Sequence, residues 1–440
     1  MRNYFSKFQK IAKELFQVGL GQVVATLGGL LGVRLLTNMM TPSSYGELAL
    51  GLTFLTLIQQ LIMGPITNGF ARYFVIAQEK EDVKSYLKAV WSLLVKSSLT
   101  TIGILFVVIF ALLLTNNWVW IGLLFLSSLF TLVSSYNIAL DNIQNAARQR
   151  VVVAWHQGLS QWLRFLFAVG FILLFGSSSS FAMLGYFVSA VIVLLSQWFF
   201  FQKNSLYKMQ ERWFGLNWNN PNIWESKIVQ FALPFSTWGL FSWAQMSSDR
   251  WALQIFQSTA SVGFYSVLYQ LGYYPITILT GIFVQFISPL LYRRVGDAME
   301  LERVQSTQRF TNQLTIAALG LAGLAVFAMW MLQEIIFQIL VAPEYHSVSY
   351  LLPWTALSGG LFAAGQISAL TALNNNQPQK LLKPKIATSL LGVVLSFFGA
   401  YLYGLEGVVG ASVLFSLIYF LWVYGLFRPQ ANVVNASDSQ

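Results

Sequence analysis

Residues 102–114 read Ile-Gly-Ile-Leu-Phe-Val-Val-Ile-Phe-Ala-Leu-Leu-Leu. The run does not alternate apolar with polar residues, as a half-buried strand would. It ends a longer apolar segment at about 86–115, and a bilayer-spanning helix needs about 20 such residues. Lipid offers no water to loose backbone groups, so helix is the expected conformation. A transmembrane barrel would show short alternating segments instead.

Eleven further apolar segments flank this one. They lie at about 14–37, 45–70, 117–140, 151–175, 181–201, 227–254, 261–290, 310–340, 350–373, 385–404 and 407–427. The whole chain of 440 residues is 56% hydrophobic and only 10% charged, with mean hydropathy +0.60. A soluble domain carries about 25% charged residues, which excludes a cytosolic enzyme, a disordered chain and a secreted disulfide scaffold. Cysteine is absent, so disulfides, thiolate metal sites and cysteine nucleophiles are excluded too. The apolar stretch after the basic start is expected to be a membrane helix, since it is long and lacks a small-residue cleavage site.

The net charge is +10, with 26 Lys and Arg. All but four of these fall on one side of the twelve-helix scheme: the start, the 2–3, 4–5, 6–7, 8–9 and 10–11 loops, and the tail. The opposite loops hold none. Cytoplasmic loops concentrate Lys and Arg, so both termini are expected in the cytoplasm. Because the charge is spread over short loops, a nucleic-acid partner is not expected. The sequence thus predicts an all-α polytopic membrane protein: an N-terminal six-helix lobe over 1–201, a cytoplasmic interfacial linker over 202–226, a C-terminal six-helix lobe over 227–427 and a cytoplasmic tail over 428–440. The linker carries Trp213, Trp218 and Trp224, which suit a membrane surface.

The four remaining cations are Arg34, Lys96, Arg164 and Arg250, on helices 1, 3, 5 and 7. Each would cost about 2.5–3.5 kcal/mol at the middle of a lipid-facing helix. Residues at i±3, i±4 and i±7 share a helix face. Gln157, Ser160 and Gln161 line up with Arg164; Ser92, Thr100 and Gly103 with Lys96; Gly239, Trp243 and Ser247 with Arg250. Such stripes suggest a wet internal cavity, and interhelical glue is the competing reading. Arg34 and Arg250 lie near helix ends and could instead snorkel.

Asp249 adjoins Arg250 and is either a local charge offset or a carboxylate that couples a proton or Na⁺. Asp141 reads as a helix-end residue. Helix 8 carries Tyr269, Tyr273, Thr277 and Thr280 at helical spacing, a face that suits sugar rings or plain packing. His156 and His346 read as polar packing residues. Gly19, Gly21, Gly28, Gly29 and Gly32 crowd helix 1 and allow close helix approach. Pro65, Pro234, Pro275 and Pro289 should bend their helices. The chain has no Walker loop, HExxH or GxSxG motif, so an enzyme is not expected, and active transport would draw on an ion gradient, a substrate gradient or a partner.

Short motifs carry a family resemblance. The first half has Arg34-Leu35-Leu36-Thr37, then Thr41-Pro42-Ser43-Ser44-Tyr45-Gly46-Glu47. The second has Ser248-Asp249-Arg250, then Val262-Gly263-Phe264-Tyr265, and an outer loop reads Pro343-Glu344-Tyr345. This resembles the Wzx-type O-antigen and polysaccharide flippases of the MATE-like superfamily. The resemblance implies two six-helix lobes around a central cationic cavity in the bacterial inner membrane. It implies a substrate, an undecaprenyl-pyrophosphate-linked oligosaccharide, moved from the cytoplasmic to the periplasmic leaflet. It also implies working contacts with membrane lipids, a polysaccharide polymerase and a chain-length regulator. Carried over by position, the cationic-cavity role falls on Arg34 and Arg250 and extends to Lys96 and Arg164; the polar and aromatic helix faces add Gln157, Gln161, Tyr269 and Tyr273 as substrate-binding candidates. An ion-coupled exporter of small molecules is the alternative.

Overall fold

Two of the helical segments begin at a side chain that satisfies one of the first backbone N–H groups. Thr41 accepts from the Ser44 amide with Pro42 in the first turn, and Ser258 accepts from the Ser261 amide. Both are favoured cap chemistries. The computed structural model describes residues 21, 24–114, 118–147, 149–203, 223–295, 300–375 and 377–427. Among them, twelve helices follow in order. They are α1 (Val24–Met39), α2 (Pro42–Glu79), α3 (Val83–Leu113), α4 (Trp118–Ala146), α5 (Arg150–Phe175) and α6 (Ser179–Lys203). Then come α7 (Ile223–Phe256), α8 (259–295), α9 (Leu301–Leu340), α10 (Leu352–Asn374), α11 (382–403) and α12 (405–427). Among the described residues, nine helical stretches are long and apolar enough to cross a bilayer. The last of these, Gln379–Phe427, breaks at Gly404 (φ 59°), which makes two passes of it.

The basic start, Gly19, the Asn116–Asn117 turn, most of the expected linker with Trp213 and Trp218, and the tail lie outside the described residues. Trp224 is described and is not exposed: it is buried in the first turn of α7. Its ring packs edge-on to Tyr86 and Tyr73, and its indole donates to Asp82 at 2.8 Å.

The chain divides into two compact units, Met1–Trp243 and Ala244–Gln440. In the first, Phe70, Phe74, Tyr86, Leu87, Val90 and Ile228 belong to one apolar core. In the second, Ala369, Ala372, Tyr419 and Val423 form another. Polarity inside the helices is spent locally. Along α4, the Ser127, Thr131 and Ser135 hydroxyls each donate to the carbonyl one turn back. Large apolar residues such as Phe106, Leu114 and Leu173 are exposed, as a lipid-facing surface requires.

Glycines set the helix spacing. Gly28 and Gly32 of α1 receive the rings of Trp162 and Phe165. Gly185 of α6 lies against the α5 backbone, where a Cβ would stand 2.3 Å from the Ala168 nitrogen. Overpacking costs about 1–3 kcal/mol where neighbours can shift, and backbone shifts less easily than side chains. Gly185→Val is therefore expected to lower the thermal midpoint in detergent by at least that energy. Gly170→Ala on α5, where nothing lies within 4 Å, should be neutral or gain up to about 1 kcal/mol of helix propensity. Equal midpoints for the two variants would remove the close-packing argument.

Two helices contain a π-turn, Gln59–Met63 in α2 and Tyr269–Tyr273 in α8. A proline follows each at the same distance, Pro65 and Pro275. Proline lacks an N–H and its ring crowds the carbonyl four residues back; the wider π-turn gives that ring room. The two segments read QQLIMGPI (59–66) and YQLGYYPI (269–276). These segments form a short internal repeat, with Gln60/Gln270, Leu61/Leu271, Pro65/Pro275 and Ile66/Ile276 identical.

Outside the spans, the Asp82 carboxyl is held below the usual range by hydrogen bonds from Ser85 and from the Trp224 indole. A depressed carboxyl stabilises the fold above its ordinary pKa of about 3.9 and loses that contribution as pH falls through the folded value. Asp82→Asn should therefore flatten the fall in thermal midpoint between about pH 5 and pH 3. Identical acid profiles for mutant and wild type would contradict this.

Candidate functional site

The intramembrane cations separate into two kinds. Lys96 on α3 is paired: its Nζ stands 2.6 Å from Glu225 Oε2 at the start of α7. Arg164 and Arg250 pair with no carboxylate among the described residues. The guanidinium of Arg164 lies over the rings of Phe130 on α4 (5.4 Å) and Tyr186 on α6 (5.2 Å), and its buried Nε has no hydrogen-bond acceptor. That of Arg250 lies over Tyr269 (4.8 Å) and Tyr265 (5.7 Å) of α8. Its Nε donates to Ser266 Oγ at 3.3 Å and one terminal nitrogen to the Met246 carbonyl at 3.2 Å.

Each ring contact is worth about 0.5–2 kcal/mol. Two of them offset much of the insertion cost of about 2.5–3.5 kcal/mol, yet supply no acceptor for the N–H groups. A guanidinium has five donors, so both arginines keep donors for an anion.

The second unit brings most of its expected site residues together. The π-turn of α8 carries both tyrosines, with the Tyr269 and Tyr273 rings stacked at 4.8 Å. Asp249, one residue before Arg250, is buried and accepts from the Tyr265 hydroxyl and from Ser396 on α11. Its oxygens thus tie three helices. The motif residues meet here too: Phe264 packs edge-on to Tyr345 at 5.5 Å, and Tyr345 is buried. The motif is therefore partly a packing signature.

The first unit scatters its residues. Arg34 is half-buried on α1, one turn from Thr37, whose hydroxyl donates to Val33. Gln157 donates to Asp141 Oδ2 at 3.1 Å, while Gln197 of α6 donates to Oδ1 at 2.6 Å. Gln161 is half-buried three residues from Arg164. His156 bridges α5 to Ser196 of α6 at 3.1 Å, a packing role. Phe130, Tyr186, Glu225, Ser266 and Ser396 gave no sequence signal, because each partner lies on a different helix or more than a dozen residues away; Tyr265 stood in a motif, with nothing there to tie it to Asp249.

Among the described residues, nine stretches apolar and long enough to cross a bilayer, with cations inside the helices, define a multi-pass membrane protein. Similar folds occur among solved transporters. The inward closed conformation of the lipid II flippase MurJ aligns over 94% of this chain and 87% of its own, at 12% identity and TM-score 0.68. An inward-facing multidrug resistance MATE family transporter of the MOP superfamily aligns over 92% and 94%, at 14% identity and TM-score 0.65. A MOP superfamily transporter from Pyrococcus furiosus, described by a binding pocket of reverse polarity, aligns over 94% of each chain at 16% identity and TM-score 0.55. No curated protein matches the sequence. Residues 11–295 match the model of the polysaccharide biosynthesis protein family, and the chain belongs to that family.

Proposed function

We propose that this protein is a flippase for a polyprenyl-pyrophosphate-linked oligosaccharide, serving O-antigen, capsule or exopolysaccharide synthesis. The observation that carries the reading is that Arg164 and Arg250 each stack on aromatic rings inside apolar helices, with donors unclaimed by any carboxylate among the described residues. Arginine binds phosphate oxygens through charge-assisted, often bidentate hydrogen bonds, and the low local dielectric strengthens them. The stacked Tyr269 and Tyr273 faces suit the C–H faces of sugar rings. The family membership and the likeness to a lipid II flippase support a lipid-linked substrate.

In this reading the protein sits in a bacterial inner membrane with both termini cytoplasmic. It binds the headgroup from the cytoplasmic leaflet and releases it to the periplasmic one by alternating access. Asp249 carries the coupling proton or Na⁺, and a polymerase and chain-length regulator receive the product. A second reading, ion-coupled export of a small molecule, draws on Asp141 and Asp249, each a carboxylate enclosed by uncharged donors.

The test is a proteoliposome assay of a lipid-linked oligosaccharide that becomes accessible to an external glycosidase. Wild-type protein should speed its appearance at least tenfold over empty liposomes, and Asp249→Asn should remove any pH or Na⁺ dependence. A rate equal to that of empty liposomes, together with gradient-driven efflux of an organic cation, would favour the exporter instead.

A further inference from the structure

On the first unit, α3, α4 and α6 enclose an apolar groove of about 390 Å³, within the range of about 300–1,000 Å³ typical of ligand pockets. Its walls are aliphatic and aromatic throughout. The one hydroxyl among them, on Tyr136, is engaged with Ser98 Oγ at 3.1 Å. The groove follows α4 from Leu132 to Ile143, a rise of about 16 Å at 1.5 Å per residue. That is close to one leaflet, half of a hydrocarbon core about 30 Å thick. It opens sideways past Leu195, which is 63% exposed, between the half-buried indoles of Trp91 and Trp198.

One end is cationic. Leu87, Ile143 and Phe201 line that end. Exposed Lys84 and Lys88 precede Leu87 and Trp91 by one turn on α3. Lys203 follows Phe201, its ammonium 4.3 Å over the Phe199 ring. Of the acids nearby, Asp82, just before α3, already accepts from Trp224, and Asp141 on α4 accepts from Gln157 and Gln197. An apolar slot one leaflet long, ending in three ammonium groups, matches a single amphiphile: a hydrocarbon tail with an anionic phosphate head.

We propose that this groove is a binding site for an anionic glycerophospholipid of the leaflet on the basic-loop side, with one acyl chain between α3 and α6 and its phosphate at Lys84 and Lys88. The site is separate from Arg164 and Arg250, and the proposal does not depend on the transported substrate.

The full chain, delipidated in detergent and titrated with phosphatidylglycerol or phosphatidylcholine, is read by native mass spectrometry. One phosphatidylglycerol should be retained, at least tenfold more tightly than phosphatidylcholine. Lys84→Glu with Lys88→Glu changes only exposed side chains and should erase that preference with the thermal midpoint unchanged. A phosphatidylglycerol with a photoreactive acyl chain should label the peptides holding Trp91, Tyr136 or Trp198. Equal retention of the two lipids, an unaltered preference in the double variant, or labelling confined to other helices would overturn the assignment. Displacement by a polyprenyl phosphate at concentrations where phosphatidylglycerol does not compete would also overturn it and give the groove to the substrate tail.

Discussion

Arg250→Ala will abolish surface glycan while the protein still accumulates in the membrane. The guanidinium lies over Tyr269 and Tyr265 and spends two of its donors on Ser266 and the Met246 carbonyl. The remaining N–H groups are the ones proposed to take a pyrophosphate oxygen. Removing one partner of a desolvated charge contact costs about 2–5 kcal/mol, and every 1.4 kcal/mol is about tenfold. Binding should therefore weaken by a factor of about 30 or more. Arg250→Lys keeps the charge but loses the planar fork and the stack on Tyr269, so it should recover only part of the activity. Ser266→Ala removes one neutral hydrogen bond, worth about 1 kcal/mol, and should leave most of the flux. The measurement is glycan on the cell surface set against protein in the membrane fraction and its thermal midpoint in detergent. Normal glycan in the Ala variant would remove Arg250 from the site. Loss of protein from the membrane would instead assign it to folding.

Much of the fold was legible because lipid imposes one rule on every span. From the second apolar run onward, the runs predict helices whose observed centres lie within about a turn of theirs, down to the break at Gly404 that separates α11 from α12; the first half of the first run lies outside the described residues. Two kinds of feature were not legible. A π-turn has no composition of its own, so Tyr269 and Tyr273 read as ordinary helical spacing. The internal match of QQLIMGPI to YQLGYYPI around Pro65 and Pro275 is equally faint in sequence, with four identities in eight positions. Pairing across helices was hidden as well. The polar stripe below Arg164 predicted one wet face, yet Gln157 turns to Asp141 while Arg164 turns to Phe130 and Tyr186. Sequence spacing places residues on a face of one helix. Which neighbouring helix meets that face depends on the packing of all of them, and one chain carries no direct record of it.

Lys96 decides how far an intramembrane cation can be read as a ligand. Its pairing with Glu225 at 2.6 Å makes a structural role sufficient to explain it. The lysine side chain is 35% exposed and the glutamate 9%, so the pair lies between an exposed bridge, worth about 0–1 kcal/mol, and a buried one, whose breaking costs about 3–5 kcal/mol. Lys96→Met leaves a nearly buried carboxylate unpaired at the first turn of α7, and a loss of about 1–3 kcal/mol is expected. Glu225→Gln should cost less, since Lys96 can still reach water along its flexible stem. The double variant should be more stable than Lys96→Met alone, because no charge is left stranded. If Lys96 also touches the substrate, the double variant will fold normally and still lose transport. If it only docks α7, transport will return with stability. Thermal midpoints of the four proteins, combined as a double-mutant cycle and set beside their flipping rates, separate these outcomes. A coupling energy of zero in that cycle would mean that the ion pair holds nothing together, and the start of α7 would then rest on Trp224 and its apolar neighbours alone.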